Sequence, residues 1–318
     1  GIAGLALVSL ADPDYVASPA DTLRTPTNRA HSTADTVGVY VNDTLALTPQ
    51  WKLVAGVRED WFRASIGNSI SLPLSASQDV SFTSVRAGVL YQPTDGQSYY
   101  ASYGTSFDPS LEALTLTNGQ QNVPPESNRS YEIGGKWDAM HGDLQLASAL
   151  FQVTKSNARS QVDTGVYDVT GEVRVRGVEL SATGRLTQRW QVLAGYTFLD
   201  AEITKASALD GTQGKVPANT PRNAASVWTT YNITPQWEAG FGTTFSSSVY
   251  ASNTNVVTVP GYGRLDAMLA YHLPKVDIRF NLVNATDKEY FASVIPSDGG
   301  RSVPGIGRTG IVTLAYRY

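Results

Sequence analysis

The 318 residues include no cysteine, two methionines, three histidines and 16% charged residues. Each scarcity narrows the possibilities. Absence of cysteine fits a chain that crosses an oxidising compartment, although many cytosolic proteins share it. Charge is low against the usual quarter of residues, and a net charge of −4 argues against a general nucleic-acid binder, which carries a basic field. No run approaches the ~18 apolar residues that span a bilayer as a helix, so a helical membrane protein is excluded. No basic leader stands before residues 1–10, so Gly1 does not open a signal peptide. The start reads as processed, or as the start of a C-terminal piece of something longer.

What is present is alternation. In the last stretch, Gly310, Val312, Leu314, Tyr316 and Tyr318 share one face of a period-two pattern, against Ile311, Thr313, Ala315 and Arg317. Chain ends fray unless tied down. An apolar, aromatic last strand instead suits an outer-membrane barrel, whose outward residues meet lipid and an aromatic girdle. Residues 130–138 set Tyr131, Ile133, Gly135 and Trp137 against Ser130, Glu132, Gly134, Lys136 and Asp138. Val276, Ile278, Phe280 and Leu282 oppose Asp277, Arg279 and Asn281 in the same way. Strongly amphipathic helices are not evident.

A quasi-repeat joins these strands. Leu47-Thr48-Pro49-Gln50-Trp51, Leu186-Thr187-Gln188-Arg189-Trp190 and Ile233-Thr234-Pro235-Gln236-Trp237 each place a polar turn before a Trp that restarts an alternating strand. One copy could be an ordinary hairpin with a packed Trp; recurrence favours an interfacial girdle. Short connections at 47–51, 92–98, 139–143, 186–190, 233–237 and 272–276 alternate with long polar stretches at 63–78, 106–129, 204–221, 247–261 and 286–307. Residues 156–171 join the long set as a hairpin tip around Asp163-Thr164-Gly165. Short turns on one side and long loops on the other are the asymmetry of outer-membrane barrels. Counting back from Tyr318 in the periplasm puts residues 12–34 outside and residues 2–10 in an upward strand, about fourteen strands in all. The fold class is therefore all-β, an antiparallel outer-membrane barrel read as one domain over residues 1–318.

Nothing points to an enzyme. His31, His141 and His272 stand far apart and outside metal-ligand spacings. Gly211-Thr212-Gln213-Gly214-Lys215 lacks the spacing of a phosphate loop, and no G-x-S-x-G elbow occurs. Glu59 and Asp60 are neighbours on a strand and point to opposite faces, so they are not a general acid/base pair.

The chain resembles the C-terminal barrel of TonB-dependent siderophore receptors. The resemblance is carried by Gly38-Val39-Tyr40-Val41-Asn42-Asp43, Ala55-Gly56-Val57-Arg58 and Ala101-Ser102-Tyr103-Gly104-Thr105-Ser106-Phe107. It continues through Pro125-Glu126-Ser127-Asn128-Arg129-Ser130-Tyr131-Glu132-Ile133-Gly134, Arg176-Gly177-Val178-Glu179-Leu180 and Pro217-Ala218-Asn219-Thr220-Pro221. Trp228-Thr229-Thr230-Tyr231, Asn281-Leu282-Val283-Asn284-Ala285-Thr286-Asp287-Lys288-Glu289-Tyr290 and residues 308–318 complete it. Asn157-Ala158-Arg159, the Asn-Thr-Pro loop and the Trp-Thr-Thr-Tyr strand look closest to the catecholate-type branch.

The resemblance implies a plugged barrel of about 22 strands, localised to the Gram-negative outer membrane, of which this chain supplies the C-terminal part without the plug, the coupling motif or the early strands. It implies ferric siderophore as the transported ligand, with no metal or cofactor held by the protein. The implied partners are a TonB-type energy-coupling complex, the barrel assembly machinery and the lipid bilayer, with no nucleic acid. Ferric catecholates are anionic and aromatic, so Arg129, Arg159, Lys215, Arg222, Tyr250 and Arg301 are the ligand-binding candidates, against the plainer reading of solvated loop residues. Leu314, Tyr316 and Tyr318 look like the family's assembly signal. Two rivals remain. One is a self-contained porin-like channel of about fourteen strands, its lumen lined by Arg58, Arg86, Glu132, Lys136, Asp277 and Arg279. The other is a soluble all-β binding protein whose aromatics a second sheet covers.

Overall fold

The computed structural model describes residues 30–68, 75–109, 125–163, 166–296 and 301–317. The strand expected over residues 2–10, most of the loop expected over 12–34, and Tyr318 lie outside them. Within the described residues the strands are β1 (Ala30–Ala46), β2 (Trp51–Asn68), β3 (Ser75–Thr94), β4 (Gln97–Asp108), β5 (Glu126–Ala139), β6 (Leu144–Asp163), β7 (Val166–Thr187), β8 (Trp190–Lys205) and β9 (Asn223–Asn232). They continue as β10 (Trp237–Ser246), β11 (Val249–Tyr250), β12 (Thr258–Val259), β13 (Tyr262–His272), β14 (Val276–Val283), β15 (Phe291–Ile295), β16 (Arg301–Pro304) and β17 (Thr309–Tyr316). Thirteen form one sheet in the order β1-β2-β3-β4-β5-β6-β7-β8-β9-β10-β13-β14-β17. The pairs β11-β12 and β15-β16 are separate two-stranded sheets inside the loops.

Register shows why alternation became a sheet with two unlike faces. Ile133 pairs with Leu150, Leu150 with Val178 and Val178 with Phe198, so apolar side chains line up across four strands. Phe280 pairs with Val312 and Ile278 with Leu314 at the other end. These rows are uncovered: Ile133 is 56% exposed, Val312 65% and Leu314 70%. A soluble sandwich would bury such a face against a second sheet. Among the described residues none covers it, which suits a face turned to lipid. Glu132, pairing with Ser102 and Phe151, stands on the opposite, polar face.

Contact density divides the chain into two units. The first takes residues 1–39, 59–83 and 109–125. Its described core is Phe62 and Ala64 with Ile66, Val80 and Phe82 against them. The second takes residues 40–58, 84–108 and 126–318. It holds a small core of Ala251, Val259 and Val294, with Val249 packed against it.

Several boundaries differ from the sequence expectation. The loop expected at 63–78 is largely strand, since β2 runs to Asn68 and β3 starts at Ser75. Its polar residues are one side of an alternating strand: Phe62 and Ala64 are buried, while exposed Arg63 pairs with Asp79 at 2.9 Å. Residues 30–34 of the expected first loop belong to β1, and the expected hairpin tip at 156–171 is mostly strand, because β6 extends to Asp163 and β7 begins at Val166. The short turns stand where alternation placed them. In the first, the Thr48 Oγ1 accepts the Trp51 and Gln50 N–H groups at 3.0 and 3.2 Å. Thr234 repeats this with Trp237 and Gln236 at 3.0 and 3.2 Å. A hydroxyl that satisfies its own turn is the local device that makes the Thr-Pro-Gln-Trp repeat a hairpin end.

Candidate ligand-binding loops and the base that holds them

The loops that read as long polar connections are sewn together by asparagines. The Asn255 amide meets both backbone groups of Val216: its Oδ1 accepts the Val216 N–H at 2.9 Å, and its Nδ2 donates to the Val216 carbonyl at 2.7 Å. Asn253 Oδ1 accepts the Ala218 N–H at 2.9 Å. Asn219 donates its N–H to the Tyr250 carbonyl at 3.0 Å and accepts the Val294 N–H on Oδ1 at 3.3 Å. Residues 206–222, 247–261, 284–296 and 301–308 thereby become one body. Asn219 and Asn255 take φ of 55° and 58°, left-handed values that asparagine tolerates better than most residues.

This body carries four of the six ligand-binding candidates. Lys215 is fixed through its backbone, whose carbonyl accepts the Ile203 N–H at 2.8 Å, and its side chain is exposed. The Arg222 guanidinium lies 5.3 Å from the centre of the Phe198 ring, a cation–π distance. Tyr250 is half-buried in β11, opposite Thr258. Arg301 opens β16 opposite Ile295, beside the Val294 that Asn219 holds. Arg129 is not part of the body. It is an exposed residue of β5 that shares the apolar face of Tyr131 and Ile133, because period two puts 129, 131 and 133 on one side. Arg159 lies on β6, with its side chain outside the described residues.

The loop base is the feature that sequence reasoning passed over. Asn284 is fully buried and takes φ 52° at the end of β14. Its N–H donates to Asp266 Oδ1 at 2.8 Å, its Nδ2 to the Lys288 and Ile306 carbonyls at 3.0 and 2.9 Å, and its Oδ1 accepts the Lys288 N–H at 2.8 Å. Asp287 then accepts the Arg308 N–H at 2.9 Å, returning the chain to β17. On β13, Arg264 pairs with Asp266 at 2.9 Å and donates to the Tyr290 hydroxyl at 3.3 Å, while the Tyr290 ring lies 4.4 Å from that of Tyr262. The signal was Asn284-Ala285-Thr286-Asp287 directly after a strand, where residues tolerant of positive φ mark a turn. Asp287, also left-handed with φ 54°, closes it.

At the turn-side end the girdle expected from the repeat is present. Trp51, Trp190 and Trp237 are 43%, 43% and 41% exposed, so they are not packed hairpin tryptophans. Trp51 and Tyr91 rings are 4.5 Å apart, Tyr99 and Trp137 5.8 Å, and Trp237 and Tyr271 4.7 Å. Leu314 and Tyr316 lie exposed on the same apolar face. His272, which the sequence left isolated, sits between Asp277 at 2.7 Å and Glu238 at 3.1 Å, and Arg317 also pairs with Asp277. Strand pairing, which no spacing rule captures, brings these four together.

The description "TonB dependent receptor-like, beta-barrel" matches residues 5–285. The chain belongs to that family. Among curated relatives of this receptor barrel, the probable TonB-dependent siderophore receptor PiuA of Acinetobacter baumannii is 35% identical over 307 residues, covering 90% of this chain and 41% of its own length. The catecholate siderophore receptor Fiu of Escherichia coli K12 is 30% identical over 350 residues, covering 99% of this chain and 46% of its own. The chain thus spans less than half the length of these relatives. The crystal structure of PiuA superposes with a TM-score of 0.84 at 32% identity, over 91% of this chain and 44% of that one. The closed form of the ferric-catecholate import receptor Fiu gives 0.79 at 26% identity, over 91% and 45%. The sheet described above is therefore the barrel wall of a TonB-dependent receptor.

Proposed function

We propose that this barrel belongs to an outer-membrane receptor that imports ferric siderophores, driven by a TonB-type coupling complex. The observation that carries the reading is sequence and fold similarity, over nine-tenths or more of the chain, to receptors named for siderophores. The loop body supplies a surface of the right chemistry. It presents Lys215, Arg222 and Arg301 for an anionic complex and Tyr250 for aromatic contact. The siderophore brings its own iron ligands, so the receptor recognises the ligand shell and coordinates no iron itself. A catecholate fits this surface through charge and ring stacking together. The apolar rows are the lipid contact, and Leu314, Tyr316 and Tyr318 are the signal read by the barrel assembly machinery.

Uptake of radiolabelled iron tests the reading in a strain that carries this receptor and lacks other ferric-siderophore receptors. Deletion is expected to abolish import of at least one anionic ferric siderophore, and unchanged import across catecholate, hydroxamate and carboxylate complexes overturns the function. Joint replacement of Lys215, Arg222 and Arg301 by Gln is expected to weaken binding more than tenfold, if each charge-assisted contact contributes about 1.5 kcal/mol. Equal affinity in a binding titration removes the loop cations from the site while leaving the transport reading intact.

A further inference from the structure

At the turn-side rim, charged side chains join four neighbouring strands in a row. His272 is the last residue of β13. Period two keeps it on the polar face with Arg264 and Asp266, one step beyond the girdle ring of Tyr271 and so outside the rows that meet lipid. The hairpin to β14 sets it opposite Asp277, and the pairing of β10 with β13 brings Glu238 beside it, opposite Ala270. Nδ1 lies 2.7 Å from Asp277 Oδ1, and Nε2 lies 3.1 Å from Glu238 Oε2. The other Asp277 oxygen accepts from Arg317, the residue after β17.

Two carboxylates facing two ring nitrogens decide the protonation state. An ionised carboxylate only accepts, so each nitrogen must donate, and an imidazole with two N–H groups is the cation. With its proton, His272 joins Arg317 in balancing Glu238 and Asp277. Without it, one nitrogen turns a lone pair towards a carboxylate, and both carboxylates are left with a single cation. The longer bond, to Glu238, is the one expected to give way.

Other charged groups nearby are Arg279, further along the polar face of β14, Lys275, whose carbonyl takes the Arg317 N–H, and Arg189, whose carbonyl takes the N–H of Asn232 opposite Glu238. Among the described residues none of the three pairs with Glu238 or Asp277. All are cations and oppose the imidazolium, but it bonds two carboxylates directly and Coulomb interaction falls with distance. The hydrogen bond to Asp277, and then that to Glu238, raise the imidazole above its ordinary range against the cost of burial. Between β10 and β13, and again between β14 and β17, the chain leaves the sheet to form the loop body. The same strands are thus fastened at their opposite ends.

We infer that His272 is a proton-operated clamp on the turn-side feet of β10, β13, β14 and β17, closed while its imidazole is charged and opened by loss of that proton. The inference rests on this geometry and does not depend on the siderophore reading. Since folding favours the charged form, the clamp's contribution is complete below the ordinary ~6.5 and is lost as pH rises through the raised midpoint.

The chain has three histidines, so nitrogen NMR of the detergent-folded receptor with isotope-labelled histidine follows three imidazoles, and His272→Gln removes the one in question. Both its nitrogens are expected to be protonated at neutral pH, with a midpoint about a unit above the ordinary one. Glu238→Gln and Asp277→Asn are each expected to lower that midpoint. As pH rises from mildly acidic to mildly alkaline, the folded-to-unfolded ratio in urea is expected to fall about tenfold more for the wild type than for His272→Gln, the value for a one-unit shift. His141→Gln should behave as the wild type. If His272→Gln does not fold, the midpoints of the wild type and Glu238→Gln carry the test. The inference is overturned by an imidazole that is neutral at neutral pH, by a midpoint that neither carboxylate variant lowers, or by a pH dependence that His272→Gln retains in full.

Discussion

At the turn-side end of the sheet, Thr48 and Thr234 bond backbone groups two and three residues ahead of them. At the loop side, Asn255 bonds a backbone 39 residues away and Asn219 one 75 residues away. The same kind of group, a short polar side chain against backbone N–H, does local work at one end and long-range work at the other. The difference sets how damage spreads. Each turn closes by itself, so losing one leaves its neighbours intact. Among the described residues the loops have little apolar core of their own beyond Ala251, Val259 and Val294 with Val249 against them, so their order depends on the bridges being made. The loop side also carries the candidate ligand contacts, and its side chains are positioned only as well as those bridges hold.

Four substitutions separate the two regimes. Asn284→Ala should have the largest effect. It removes three side-chain hydrogen bonds from a fully buried position and is expected to cost about 3 kcal/mol, leaving two carbonyls and an N–H unsatisfied. Urea unfolding of the detergent-folded receptor measures it, and a loss as small as that of a turn threonine would show that the base is not the fastening point. Asn255→Ala follows, at about 2 kcal/mol for two bridging bonds. Limited proteolysis should then accelerate in both residues 206–222 and residues 247–261; cleavage in only one would mean that the loops do not order each other.

Trp237→Leu is expected to cost about 1 kcal/mol, the magnitude of an aromatic pair beyond its buried area, through loss of the ring 4.7 Å from Tyr271. Comparison of unfolding in bilayers and in detergent sharpens this, since a girdle residue should matter more in the bilayer. Thr234→Val is the smallest, at about 0.5–1 kcal/mol. Hydrogen exchange should quicken at the Gln236 and Trp237 amides and nowhere on the loop side. Spread of that effect to residues 247–261 would erase the distinction between the two ends.

The strands were legible because alternation is local. Tyr131, Ile133 and Trp137 against Glu132, Lys136 and Asp138 needed no knowledge of what β4 or β6 carried. The turns were legible for the same reason, since Thr-Pro-Gln-Trp contains the acceptor and both donors of its own closure. The loops were read as polar and structureless because polarity reports solvent contact or hydrogen bonding without distinction. Residues 63–68 looked like loop, yet the alternation of buried Phe62 and Ala64 carried through them. Arg129 looked like a loop-base cation, yet its parity with Tyr131 puts it on the apolar face. His272 had no partner by spacing, yet β10 and β14 bring Glu238 and Asp277 to it.

The amino-acid sequence by itself determined the all-β class, the unequal faces, the girdle, the turns and the family resemblance, all of which rest on periods and motifs a few residues long. Tertiary structure alone decided which polar groups meet: Asn255 with Val216, Asn284 with Asp266 and Ile306, His272 between two carboxylates, and Asn42 and Arg86 converging over Gly56. The physical reason is that period two says which way a side chain points and is silent on what faces it. That depends on strand order and register, which the whole sheet sets together.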